Sequence, residues 1–323
     1  MKTGTRTLLL LLLSLACIWI GLVIGSTDVG THDLFDLLIG KQNESARILI
    51  MDIRLPRTLT AFTVGGLLAL SGLLLQALLR NPLADPYVLG VSGGASLGAL
   101  LAILLGFGLT VTHISAFSGA MLSMLLVFSL GRVRSGNDAI GLLLTGVIVA
   151  AGWGALISLV LVVGTDTSIQ GMLFWLMGDL GHAQRYSLAV IVLVAGMIGA
   201  WILARPLNLA VQGDQVVAAL GSNPQRIRYT IYFLASVLTG TAVSLAGNIA
   251  FVGLIVPHLL RLTGATDHRV LVPQVVLLGG SLLLISDTLA RTVIAPQQLP
   301  VGIVTAFLGV PVFLYLLIKS RQQ

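Results

Sequence analysis

Stretches of roughly twenty predominantly apolar residues recur along the whole chain, separated by short polar connections. A helix needs about 20 such residues to cross the hydrocarbon layer of a membrane, and its backbone polar groups must be satisfied within the segment. Only 9% of the 323 residues are charged, against about 25% in an ordinary soluble domain. A water-soluble globule is excluded. Transmembrane barrels carry short alternating segments with a polar lumen face, whereas these runs are continuous and rich in Leu, Gly and Ala. The expected fold class is therefore all-α, a polytopic membrane protein forming one transmembrane domain over residues 1–323.

Ten spans are expected, at about 7–26, 58–79, 91–111, 113–131, 139–164, 186–204, 229–248, 249–263, 272–294 and 300–318. Residues 1–26 resemble a signal peptide, with Lys2 and Arg6 ahead of a leucine run. The apolar stretch continues through Trp19 to Ile24, too long for a signal core, and reads as a retained first span. The stretch 229–263 reads either as one long helix or as two spans joined near Gly247-Asn248. Charge decides between them, because cytoplasmic loops accumulate Lys and Arg. Ten spans with a cytoplasmic N-terminus place 12 of the 18 basic residues inside and 6 outside, whereas merging the stretch gives 9 and 9. Ten crossings with both termini cytoplasmic are expected, with one long outer segment at about 27–57 and one long inner segment at about 205–228. Gly65-x4-Leu70-Ser71-Gly72 is echoed by Gly240-x4-Leu245-Ala246-Gly247 on spans of opposite direction, the pattern of an inverted repeat.

Several chemistries are absent. None of the three lysines, Lys2, Lys41 and Lys319, stands in the Gly-Lys-Ser/Thr setting of a phosphate-binding loop. The five histidines form no H-E-x-x-H pair, and the single Cys17 makes no disulfide or Cys-rich metal site. No metal, cofactor or catalytic constellation is expected. The net charge of +6 is dispersed in ones and twos between apolar runs, which reads as topology signals and not as a nucleic-acid patch. A proton-coupled carrier buries carboxylates along its path, and only Asp287 falls within a span, near its outer end.

The most informative stretch is Arg54-Leu55-Pro56-Arg57, then Asn81-Pro82-Leu83-Ala84-Asp85-Pro86 and Gly90-Val91-Ser92-Gly93-Gly94-Ala95. Pro56 reads as the first turn of a span. Asn81-Pro82 and Asp85-Pro86 end that span in a tight reversal, since residues before proline avoid the helical region. Gly90, Gly93, Gly94, Ala95 and Gly98 leave the next helix a nearly bare face. Such a face serves close helix packing, or lines a wide translocation pathway at Gly90, Ser92, Gly93 and Gly94.

These motifs, with G-N-I-A-F-V-G-L-I-V-P-H-L-L-R and L-P-V-G-I-V-T-A-F-L-G-V-P-V-F further on, resemble the iron-siderophore, haem and cobalamin permease family of ABC importers over nearly the whole chain. The resemblance implies a permease that dimerises, with an identical or a related chain, and passes its solute between the copies. Its implied partners are a pair of cytoplasmic ATP-binding subunits, an external solute-binding protein and the lipid of the cytoplasmic (inner) membrane, with no nucleic acid. It also implies that the inner segment Val216, Ala218, Ala219, Leu220, Gly221, Asn223, Pro224 and Arg226 is the coupling element that seats in the ATPase. There Gly221 suits a helix end, and Asn223-Pro224 suits a new helix start, giving two short helices. By the same resemblance Arg54, Arg57 and Arg291 are docking positions for acidic groups of the binding protein, although Asp287, four residues before Arg291, competes as an ion-pair partner. Ferric siderophore is the expected cargo, with cobalamin and haem as alternatives. The rival classes are a self-sufficient secondary carrier, against which stands the missing relay, and an intramembrane enzyme, against which stands the missing catalytic set.

Overall fold

The structure, a computed structural model, describes residues 3–25, 44–135, 139–181 and 186–320. Most of the outer segment expected at 27–57, with Lys41, lies outside the described residues, as do Lys2, Asp138, Arg185 and Arg321. The described chain is helical throughout: α1 Thr3–Val23, α2 Glu44–Leu79, α3 Val91–Leu104, α4 Leu109–Ser135, α5 Ala139–Val163, α6 Asp166–Met177, α7 Tyr186–Ile202, α8 Ala204–Gln212, α9 Asp214–Ala219, α10 Pro224–Ala246, α11 Val252–Leu262, α12 His268–Thr292 and α13 Val301–Ser320. Six of these, α1, α2, α4, α5, α10 and α12, are long and apolar enough to cross a membrane, and α7 with α8, bent by 59° at their junction, passes the same test as a pair. Three more, α3, α11 and α13, are apolar but shorter.

The hub is α2, 94% of whose apolar window is buried, against 17% for α1 and 11% for α5. Small residues let its neighbours approach closely, which is how helices associate where lipid removes the hydrophobic drive. A Cβ on Gly65 would lie 2.3 Å from the Gly279 carbonyl of α12, and one on Gly72 would lie 1.9 Å from the Gly253 carbonyl of α11. The echoing Gly240 packs against Ala120 and Met121 of α4. Gly72→Ala is expected to cost about 3 kcal/mol, because its neighbour is backbone and cannot rotate away. Gly4→Ala on α1, where a Cβ meets nothing within 4 Å, is expected to be neutral; thermal unfolding of the solubilised protein compares the two.

Polar residues at seven-residue intervals fasten α1 to α12. Gln274 donates to the Thr7 hydroxyl at 2.9 Å, and the Ser14 and Ser281 hydroxyls lie 3.0 Å apart. Gly21, one heptad further, packs on Thr58 and Leu284, and its carbonyl accepts from Arg291 at 3.4 Å. A seven-residue period keeps one seam of two left-handed supercoiled helices in register.

Several boundaries differ from those expected. The second span begins fourteen residues earlier, at Glu44 instead of 58, because Pro56 does not open the helix. Ahead of it, Ile48–Arg54 is π-helical and the Leu55 N–H bonds the Ile50 carbonyl, an i→i−5 bond. That widened register carries the chain past a residue that an ordinary helix interior would not accept. The connection after α5 contains α6, which no sequence pattern announced. The stretch 229–263 is broken, as the two-span reading requires. α10 ends at Gly247 (φ 67°), and residues 247–251 run to Phe251 (φ 72°) before α11 starts. At 1.5 Å per residue α11 spans only about 16 Å, and the irregular backbone ahead of it is satisfied by protein. The Ile249 N–H donates to the Tyr87 hydroxyl at 3.1 Å, and the Asp179 N–H donates to the Ala246 carbonyl at 3.0 Å.

Candidate functional site

Charged and polar side chains gather at two ends of the bundle. At the end where α1 begins, Arg6 donates to the Thr263 carbonyl, Arg261 to Gln76, and Asp214 lies between Arg80 and Arg228. At the opposite end Asp287 lies between Arg57 and Arg291. Each end thus holds one aspartate shared by two arginines, and α2 supplies an arginine to both.

The far cluster contains all three arginines expected to meet an external partner, but they face inward. Arg54, Arg57 and Arg291 are 3%, 9% and 5% exposed, and Asp287 is fully buried. Arg57 donates through Nε and Nη2 to Asp287 at 2.9–3.2 Å, and through Nη1 to Gln298 at 2.8 Å. Arg291 Nε lies 3.1 Å from the other carboxylate oxygen, an ion contact without hydrogen-bond alignment. The Asp287–Arg291 pair that competed in the sequence is therefore formed, with Arg57 as a further member. Arg54 donates to the Leu22 and Val23 carbonyls at 2.9 and 2.7 Å, satisfying acceptors that the end of α1 leaves open, where a cation is favoured. The three arginines expected to form a basic face are thus buried, Arg57 and Arg291 against Asp287.

Gln298 also lines a cavity of about 730 Å³ at this end, with Phe107, Phe174, Trp175, His113 and Gln170. Its walls come from α6, four separated connections and the adjoining ends of α3, α4 and α10, so nothing in the linear sequence brings them together. An aromatic-walled recess carrying a few amide and imidazole groups suits a large, partly apolar solute.

The glycines at the start of α3 are used for packing. A Cβ on Gly94 would sit 2.3 Å from the Gly119 carbonyl of α4, and one on Gly93 would sit 2.8 Å from Trp153 of α5. The Gly90 carbonyl accepts from the Ser123 hydroxyl at 2.7 Å, which in turn accepts from the Trp153 indole at 2.8 Å. Of the two readings of this face, close packing accounts for Gly90, Gly93 and Gly94; Ser92 beside them is half-buried. The preceding reversal is as its prolines require: the Asn81 side chain accepts from Leu83 N–H, and the Asp85 side chain accepts from Tyr87 N–H.

At the near end the expected coupling segment stands out from the bundle. Val217 is buried and anchors α9, while Ala218, Ala219, Leu220 and Gly221 are exposed, Leu220 to 62%. Gly221 turns the chain at φ 74°. The Asn223 side chain accepts from the Arg226 N–H at 3.2 Å, and Pro224 follows in the first turn. The helix so opened is the 23-residue α10, so only the first of the two expected short helices is short. Val216 is half-buried and Arg226 exposed. Asp214 is taken by Arg80 and Arg228, which fixes α9 to the bundle. Nearby, Asn208 and the Arg269 N–H bond Asp267 and hold its carboxyl below the usual range. Among the described residues no group of three or more His, Cys, Asp or Glu is arranged to hold a metal.

Comparison with known proteins gives concordant results. The profile of the FecCD transport family matches residues 10–319. The hemin transport system permease protein HmuU of Yersinia pestis is 39% identical over 94% of this chain and 93% of its own. The vitamin B12 import system permease protein BtuC of Escherichia coli is 38% identical over 85% of each. A solved metal-chelate type ABC transporter in an inward-facing conformation superposes with a TM-score of 0.87, at 31% identity, over 98% of this chain and 99% of the other.

Proposed function

This chain belongs to the FecCD transport family, and from that premise we propose that it is the permease of a binding-protein-dependent ABC importer that moves a bulky metal chelate inward across the cytoplasmic membrane. The observation that carries the reading is the likeness, over almost the full length of both chains, to a metal-chelate type transporter. Ferric siderophore is the proposed cargo. Haem is the second reading, favoured by the 39% identity to a hemin permease, and cobalamin stands beside it through the vitamin B12 permease.

Ten crossings are the proposed topology. Six long helices, the bent α7–α8 pair and three shorter apolar helices make ten candidates, which supports ten crossings. The end carrying Arg6, Arg80 and α9 is read as cytoplasmic by the distribution of basic residues, with both termini on that side. The protruding Ala218-Ala219-Leu220-Gly221 turn is the proposed seat of the ATPase. At the outer end, Arg54, Arg57 and Arg291 are the proposed docking positions for acidic groups of the binding protein. The sparsely covered α5, bare at Gly152 and Gly154, supports pairing with a second permease chain, identical or related.

Reconstitution tests the reading. Vesicles containing this chain, its ATPase and the solute-binding protein are expected to accumulate a ferric chelate only when ATP is present on the ATPase side. Accumulation by the chain alone on an ion gradient would instead establish a secondary carrier. Competition among siderophores, haem and cobalamin for the binding protein separates the cargo readings.

A further inference from the structure

Helix α8 runs across the inner end of the bundle and, with the ends of α2 and α11 and the start of α12, encloses a cavity of about 640 Å³. Its walls include Gln76, Arg80, Asn208, Arg261, Asp267 and His268. Two of these have unused capacity. Arg261 donates Nη1 to Gln76 Oε1 at 2.5 Å, and among the described residues no carboxylate lies within ion-pair distance of it. A half-buried guanidinium without a counter-charge is costly unless an anion joins it. His268 is 3% exposed, and among the described residues its Nε2 has no partner. The other ring nitrogen settles its character. Asn208 Nδ2 donates to Asp267 at 2.9 Å, which turns Asn208 Oδ1 toward His268 Nδ1 at 2.6 Å. Nδ1 therefore carries the proton, and in the neutral ring Nε2 is left as a buried acceptor.

A ligand suited to these groups has a negative charge for Arg261 and an O–H for His268. A phosphoryl group with a neighbouring hydroxyl has both. The setting favours a lipid as its source. α8 departs from α7 by 59° and buries Leu207 while exposing Arg205 and Val211, as a helix lying in the headgroup layer does. Trp201 and Ile202, 58% and 67% exposed at the elbow, provide the aromatic and apolar anchor expected at that depth. Basic recesses between helix ends on this side of a membrane are suited to anionic headgroups. Asp267 is the opposing charge in the wall, but its carboxylate is bound to Asn208 and to the Arg269 N–H. Arg80, although shared with Asp214, keeps the lining positive. We propose that this cavity is a lipid site, binding the hydroxylated phosphodiester headgroup of an inner-leaflet anionic lipid such as phosphatidylglycerol, with Arg261 on the phosphate and His268 Nε2 accepting from a headgroup hydroxyl. The inference uses the inner position of this end and nothing about the cargo, so a failed transport assay leaves it standing.

The test is thermal unfolding of the purified full chain in neutral detergent with added phosphatidylglycerol, phosphatidylmethanol, phosphatidylcholine or inorganic phosphate. Phosphatidylglycerol at about 100 times its Kd is expected to raise Tm by about 5 °C. Phosphatidylmethanol, which keeps the charge and lacks the hydroxyls, should give a smaller rise, and phosphatidylcholine none. Arg261→Gln should abolish the rise and Arg261→Lys retain part of it. His268→Phe, should the arginine variants not fold, provides an independent arm: it should reduce the phosphatidylglycerol effect to that of phosphatidylmethanol and leave the latter unchanged. Equal shifts from phosphatidylcholine, or an undiminished shift in Arg261→Gln, would overturn the site. An equal shift from inorganic phosphate would overturn the lipid assignment in favour of a soluble phosphoryl ligand. Repeating the measurement with the ATPase bound should preserve the lipid effect; its loss would mean that a side chain of the partner fills the cavity, which also overturns the assignment.

Discussion

Replacing Asp287 by alanine is expected to lower the Tm of the solubilised permease by roughly 10 °C, the largest single-residue loss in stability anticipated for this chain. Asp287 is fully buried, and Arg57 and Arg291 are 9% and 5% exposed. Removing the carboxylate leaves two guanidinium groups buried with no counter-charge, a loss of about 3–5 kcal/mol, worth about 2–4 °C per kcal/mol in a chain of a few hundred residues. The cause is the stranded charge and not the lost bond, so a variant that also replaces Arg57 and Arg291 by methionine should recover much of the difference. The matching triad at the other end supplies the control. Asp214 is shared by Arg80 and Arg228 in the same way, but its side chain is 46% exposed. Asp214→Ala leaves Arg80, 41% exposed, to water and strands only Arg228, 15% exposed, so the expected cost is smaller, about 1–2 kcal/mol. Equal unfolding temperatures for Asp287→Ala and the unaltered protein would remove the account of the buried cluster.

Leu220→Asp is expected to leave unfolding unchanged within about 1 °C, because a residue on an exposed turn has little to lose, while ATP-driven uptake falls about 30-fold or more. Leu220 is the largest apolar side chain of the exposed Ala-Ala-Leu-Gly turn. An apolar anchor at the centre of an interface is commonly worth 2 kcal/mol or more, a factor of about 30 in affinity. The measurement pairs uptake in reconstituted vesicles with co-purification of the ATPase. Full uptake by Leu220→Asp would show that the ATPase is gripped elsewhere.

The two predictions mark where the sequence was legible and where it was not. The helical membrane class, the interruption near Gly247, the reversal at Asn81–Pro86 and the cap at Asn223 follow from hydropathy, glycine and proline, which act within a few residues of themselves. The exposed turn at Ala218–Gly221 was readable for the same reason, since Gly221 and Asn223-Pro224 act on the chain locally. The Asp287 cluster depends instead on which way α2 and α12 are rotated about their axes. Arg57 and Asp287 are 230 residues apart, and an arginine near a span end carries the same local signature whether it faces water or a buried carboxylate. The i→i−5 bond ahead of Pro56 was hidden too, because a proline that starts a helix and one carried inside by a π-turn have the same neighbours. The bare face of α3 had two readings because glycine announces a close approach without naming what approaches; Gly119 and Trp153 do that only in three dimensions.

The rungs joining the first helix to α12 bear on how the chain is assembled. Thr7 and Gln274, like Ser14 and Ser281, are 267 residues apart. During synthesis α1 must therefore wait in the bilayer for most of the polypeptide to be made before its mate emerges. Its mostly uncovered leucine surface makes that wait tolerable, since lipid is an adequate neighbour, and the serine and threonine hydroxyls bond back to their own helix meanwhile, as Ser14 still does to Leu10. Gln274 has no such refuge of its own. It enters an environment where its amide finds a hydroxyl already in place, so the order of translation delivers the self-sufficient half of the joint first and the dependent half last.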